Sequence, residues 1–181
     1  MSELHPLLAT RWSPRAFDPA AQLADHDIAS LLEAARWAPS VGNSQPWRFL
    51  VGRRHTETHK RIFTNLAAAS QRWAGSASAL IVAGYVVDPG TPHAAYDLGQ
   101  AVAHLSVQAT ALRLHVHQIT GIDRGGLRAD LDLPDDLLPK VVLAIGRLGD
   151  PGSLPPDLRT LEITLRRRRP RSELAIGAAI T

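Results

Sequence analysis

Apolar residues recur at i, i+3, i+4 and i+7 through Ile28, Leu31, Leu32 and Ala35, the stripe of a helix with one buried face. Asp25 or Asp27 stands before it as an N-cap, and Pro39 closes it because the residue preceding a proline is pushed out of the α region. The same period predicts a short helix at residues 4–10 and another at 58–72, carrying Ile62, Phe63, Leu66 and Ala69. It also predicts a long helix through Leu98, Ala101, Val102, Leu105, Ala109 and Leu112. Ala, Gly and Ser fill many other positions of that long helix, so it can pack closely on several sides, as a core or interface helix does. Trp47-Arg48-Phe49-Leu50-Val51 and the continuous apolar runs at 78–87 and 140–147 read as strands, the latter two fully buried. A short helix is expected at 126–131, turns at 52–57 and 88–92, and an extended linker at 149–156. Helices alternating with apolar strands imply an α+β fold, a sheet flanked by helices.

Composition narrows this picture. At 181 residues, 45% hydrophobic and 20% charged, the chain suits one globular domain spanning 1–181. Of its 20 basic residues only Lys60 and Lys140 are lysines, so 18 are arginines; the net charge is +3. Arginine grips phosphate and carboxylate as a planar fork, although a G+C-rich genome gives the same bias. Cysteine is absent, which removes disulfides, thiolate nucleophiles and cysteine metal sites. No long uncharged apolar run occurs, and the arginines from Arg11 to Arg15 interrupt any leader, so a cytoplasmic protein with no membrane partner is expected. His93, His104, His115 and His117 lack ligand spacing, so no metal site is expected. There are no internal repeats, no GxGxxG and no Walker motif.

Three stretches carry candidate chemistry. Arg11, Ser13 and Arg15 alternate, and in an extended segment alternation places all three on one face. Two guanidiniums and a hydroxyl suit a phosphate together with an electron-rich carbonyl or ring nitrogen; a solvated basic turn is the plainer reading. Between helix and strand, Ser40, Gly42, Asn43 and Ser44 are small turn-forming residues whose amides can face a ligand. An ordinary helix-to-strand connection has the same composition. Finally, Arg166-Arg167-Arg168-Arg169-Pro170-Arg171 suits either nucleic acid, by counterion release, or a single phosphate. It has no interleaved aromatics and the chain has no nucleic-acid-binding module, so nothing else supports nucleic acid, and a solvated tail has the same composition.

The wording of these stretches resembles the nitroreductase family of FMN-dependent oxidoreductases. Arg11-Trp12-Ser13-Pro14-Arg15-Ala16-Phe17, Pro39-Ser40 to Asn43-Ser44-Gln45-Pro46-Trp47, Tyr96-Asp97-Leu98-Gly99-Gln100-Ala101, Gln118-Ile119-Thr120-Gly121-Ile122-Asp123 and the arginine tail occur in the family's order. The resemblance implies a central mixed or antiparallel sheet, a homodimer with C-terminal arm exchange, and FMN at the dimer interface. It implies phosphate contacts from Arg11, Arg167 and Arg169, with Arg166 and Arg168 turned out. Arg15 would stand near the flavin N1 and O2, and Trp12, Ser13, Pro39, Ser40 and Asn43 would line the cofactor, the last three from the partner subunit. Ser70 and Gln71 occupy the region that faces the pyrimidine edge, and the backbone of Ile119, Thr120 and Gly121 lies beside the ring. Where longer members carry an acidic residue, this chain has Thr120. The implied activity is ping-pong: NADH or NADPH as donor, then a nitroaromatic, quinone or similar small electron-poor acceptor, with no protein nucleophile. The same residues would also permit a flavin-storage protein without turnover.

Overall fold

The computed structural model describes residues 4–174. Four strands, β1 (Trp47–Arg53), β2 (Ala79–Val86), β3 (His115–Ile119) and β4 (Leu137–Gly146), form one antiparallel sheet in the order β1-β2-β4-β3. Around it stand α1 (Pro6–Thr10), α2 (Asp25–Arg36), α3 (Glu57–Thr64), α4 (Ala68–Ala74), α5 (Ala94–Ala111), α6 (Arg124–Asp130) and α7 (Pro156–Ile163). The central strands are apolar at nearly every position because both faces are covered, the exposed Lys140 near the start of β4 being the charged exception. Ile81, Ala83, Val141, Leu143 and Ile145 pack with Leu31 of α2 and with Leu98, Ala101 and Leu105 of α5. Leu80, Val82, Val142 and Ala144 point the other way, to Phe17 and to Ile62 of α3, Trp73 of α4, Leu127 of α6 and Leu158 of α7. Each fully buried Leu or Ile contributes roughly 1.5–3 kcal/mol to this double-sided core. Among the described residues, no helix is long and apolar enough to cross a membrane.

Three local expectations are corrected. The helix expected at 58–72 is two, because the chain between α3 and α4 is drawn into pairing with the segment after β3. Leu66 bridges Ile122, the Ala67 N–H donates to the Gly121 carbonyl at 2.9 Å, and the Asp123 N–H donates to the Asn65 carbonyl at 2.8 Å. The N-cap of α2 is Ala24, and Asp27 lies inside the first turn, its carboxylate accepting the Ala24 N–H at 2.9 Å. The linker expected at 149–156 contains a 3-10 turn, Pro151–Ser153, and leads into α7, which the apolar spacing did not announce. Pro156 at the first turn of α7 costs no hydrogen bond, since that N–H has no helical partner. Residues 175–181 of the expected C-terminal arm lie outside the described residues.

Candidate functional site

The segment 11–17 meets β3 through the side chains of His115 and His117, and its backbone is held from several directions. Phe17 bridges Leu148, and the Gly149 N–H donates to the Ala16 carbonyl at 2.9 Å. Only glycine fits there, for a Cβ on Gly149 would stand 2.5 Å from the Phe17 carbonyl. His117 on β3 lies 2.8 Å from the Pro14 carbonyl through Nδ1, which must therefore carry the proton. Burial pushes the His117 imidazole below its ordinary range while the bond to Pro14 opposes that shift. Its ring packs on Trp73 at 4.4 Å, Trp73 stacks on Phe17 at 6.3 Å, and His115 meets Trp12 edge-on at 6.2 Å. So the two histidines that alternate along β3 buttress the basic segment.

A carboxylate secures the middle of the segment. Glu162 of α7, with a side chain only 1% exposed, accepts the Arg15 N–H on both oxygens and the Ala16 N–H on Oε1, all at 2.9 Å. The Arg15 guanidinium lies 4.0 Å from Oε2 and stays 28% exposed, so it is compensated but not consumed.

Positive charge converges at the start of the segment. The Arg166 guanidinium donates to the carbonyls of Ala9 and Arg11, where α1 ends and leaves acceptors unpaired. Partial burial, then the charges of Arg166 and Arg168, lower the Arg11 guanidinium from its ordinary value. Among the described residues none of these three arginines is ion-paired. Arg166 and Arg168 face Arg11, because the end of α1 offers Arg166 two carbonyls, whereas Arg169 pairs with Glu173 at 3.2 Å and Arg167 lends its carbonyl to Arg168.

The loop after α2 is built separately. Val41–Asn43 forms a 3-10 turn with Gly42, Asn43 and Gln45 all at positive φ (59°, 57° and 45°). Glycine and asparagine tolerate that region; glutamine does so only when its surroundings impose it. Here the Gln45 N–H donates to Ser40 Oγ at 3.1 Å, and the Val41 N–H donates at 3.2 Å to Asp97 on α5. Asp97 is 1% exposed and its other oxygen, Oδ1, has no partner among the described residues. Pro39 and Asn43 are exposed and Ser40 half-buried. No hydrogen bond among the described residues joins this loop to the 11–17 segment, and the apolar residues flanking the two belong to opposite faces of the sheet.

Ser70 and Gln71 lie on α4, beside the 119–121 segment that meets Ala67. The Gln71 amide nitrogen is already engaged with the carbonyls of Phe63, Thr64 and Leu66 at the end of α3. Neighbouring Arg72 forks onto Asp157 of α7, both bonds at 2.7 Å. Ile119 is buried, with Thr120 and Gly121 exposed after it.

The model of the nitroreductase family matches residues 8–69, a span containing both the basic segment and the loop. A crystallised oxidoreductase containing FMN superposes with a TM-score of 0.90 at 32% identity, covering 99% of this chain and 94% of the other. The chain belongs to the nitroreductase family. It is also 35% identical over 141 residues to an uncharacterised 15.4 kDa protein of Mycolicibacterium smegmatis, 71% of this chain and 90% of that one. To the major NAD(P)H-flavin oxidoreductase of Aliivibrio fischeri it is 42% identical over 50 residues, 26% of this chain and 23% of the relative.

In this nitroreductase-family chain, three residues that shape the site escaped sequence reasoning. Glu162 sits in an unannounced helix, and its only signal is an acidic residue four positions after Leu158 on the buried stripe of α7. Asp97 was visible as part of Tyr96-Asp97-Leu98-Gly99, but nothing local tells that its carboxylate reaches Val41. His117 stands in the sequence only as one of four histidines without ligand spacing, and nothing local ties it to the segment 11–17 that it bonds.

Proposed function

We propose that this protein is an FMN-dependent oxidoreductase that takes reducing equivalents from NADH or NADPH and passes them to a small electron-poor acceptor such as a quinone or nitroaromatic. The observation that carries the reading is the convergence of Arg11, Arg166 and Arg168, with no carboxylate paired to any of them among the described residues, a cluster whose mutual repulsion favours an anion. A phosphate monoester fits it, and Arg15, Ser13 and Trp12 continue along the same segment towards the half that would carry the ring. FMN, when bound, supplies the hydride chemistry; the chain supplies orientation and charge. Arg11, Arg166 and Arg168 would neutralise the phosphate, Arg15 would place positive charge beside the ring, and the exposed backbone at Thr120 and Gly121 would flank it. The solved relative that contains FMN and the flavin oxidoreductase of Aliivibrio fischeri support the same assignment.

The site is completed by a second copy in this reading. Among the described residues no hydrogen bond joins Pro39, Ser40 or Asn43 to the arginine cluster. The surface near them carries exposed Trp37, Val41 and Tyr96, with the small residues Gly99 and Ala103 along α5. A homodimer formed through α5 would hide this apolar surface and bring one protomer's loop to the other's basic segment. Exposed Leu161, Ile163, Leu165 and Leu174 give the C-terminal arm an apolar side suited to exchange onto the partner.

The test is the absorption spectrum of purified protein before and after reconstitution with FMN, followed by anaerobic NADH and NADPH and then a quinone. Yellow protein bleached by either donor and restored by the quinone is expected. Colourless protein with no FMN affinity overturns the reading, and bound FMN that neither donor reduces leaves flavin storage as the function.

A further inference from the structure

Arg15 is the charged side chain nearest the middle of the basic segment, and both peptide units that flank it are anchored from outside. On its N-terminal side His117 donates to the Pro14 carbonyl at 2.8 Å and Glu162 accepts the Arg15 N–H of the same peptide unit at 2.9 Å; on its C-terminal side Glu162 accepts the Ala16 N–H, also at 2.9 Å. Both carboxylate oxygens are spent on backbone donors, and the guanidinium stands 4.0 Å away, at the outer limit of an ion pair. A carboxylate whose only task was to pair with Arg15 would meet the guanidinium closely through both oxygens. Here the backbone is held firmly while the guanidinium keeps its freedom to reach a ligand, with a buried negative charge behind it.

We propose that Glu162 is a positioning residue that acts through Arg15. It fixes where the guanidinium departs from the backbone and offsets part of its charge, and so tempers how strongly the site favours the reduced cofactor. The proposal rests on FMN binding beside Arg15. In a site shielded from water, a compensating charge at this range weakens the field that Arg15 projects onto a ligand. Removing that charge should therefore raise the reduction potential of bound FMN, and the rise should require Arg15.

The experiment measures the dissociation constants of oxidised FMN and the midpoint potentials of bound FMN in wild type, Glu162→Gln, Arg15→Gln and the double variant. Glu162→Gln keeps Oε1 as acceptor for Arg15 and Ala16, so oxidised FMN should bind within about threefold of wild type. Its preference for the reduced over the oxidised cofactor should increase roughly tenfold, a shift of about 30 mV to more positive potential for a two-electron couple. In the Arg15→Gln background the same change should give less than a threefold effect. An unchanged potential in Glu162→Gln with FMN bound overturns the proposal, as does an equal shift without Arg15. If Glu162→Gln does not fold, Glu162→Asp, which withdraws the charge by one methylene, should move the potential in the same direction; a wild-type value overturns the proposal. Failure of wild type to bind FMN is a different result and sinks the functional reading instead.

Discussion

Glu162 receives the backbone N–H of Arg15 on both of its oxygens across 147 positions of sequence. The last α-helix among the described residues thereby fixes the first basic segment, and three contacts from two backbone donors depend on one side chain.

Glu162→Ala removes those acceptors from a site that water barely reaches, and hydrogen bonds to a charged group carry about 1.5–3 kcal/mol each before relaxation. A loss of about 3 kcal/mol in unfolding free energy is expected from urea denaturation. A loss below about 1 kcal/mol would show that the segment is held by its other contacts.

Arg11→Ala, Arg166→Ala and Arg168→Ala are each expected to weaken FMN binding ten- to a hundredfold, about 1.5–3 kcal/mol per lost charge-assisted bond. Arg167→Ala and Arg169→Ala should change it by less than about threefold, since neither faces Arg11. Fluorescence titration of the five variants decides the matter; equal losses across the tail would instead indicate a diffuse basic surface.

Asp97→Ala deprives the Val41 N–H of its acceptor, whereas Asp97→Asn keeps an oxygen in place. About tenfold weaker FMN binding is expected for alanine and near-wild-type binding for asparagine. If the two variants bind FMN equally, the loop does not depend on this contact.

His59, His115 and His117 all lie below the ordinary imidazole range, with burial the leading cause in each and Arg54 adding to it at His59. The unfolded chain titrates near pH 6.5, so below that pH it takes up protons that the folded state refuses. The stability these groups confer is complete above about pH 6.5 and is lost as the pH falls towards their folded values. The urea midpoint should therefore drop on going from about pH 7.5 to about 5.5, and His117→Asn, which retains a donor for Pro14, should flatten that slope. An identical slope in the variant would exclude His117 as a contributor.

Ala103→Glu places a charge on the exposed small-residue face of α5. Light scattering should give a dimer for wild type and a monomer for the variant, with FMN affinity lost alongside, because the partner's Ser40 and Asn43 are removed. Obligate interfaces commonly bury more than ~2,000 Å², so one acidic residue at the centre suffices to break them. A wild-type monomer that binds FMN would refute the shared site.

Features written in short continuous stretches were legible without the fold. The stripe Ile28, Leu31, Leu32 and Ala35 made α2, and the unbroken apolar runs made β2 and β4 strands covered on both faces. The wording of segments 11–17 and 39–47 was enough to imply the family, since both lie in short continuous stretches. Tertiary structure alone decided how those stretches are held: Arg15 by Glu162, Pro14 by His117, Val41 by Asp97. It also split the helix expected at 58–72, where pairing of Leu66 with Ile122 outweighed helical continuity. Which of the four arginines meets the end of α1 was likewise beyond local reading, for four identical side chains carry no pattern. Carbonyls left unpaired at the end of α1 chose Arg166, because a helix terminus must find donors from elsewhere in the fold.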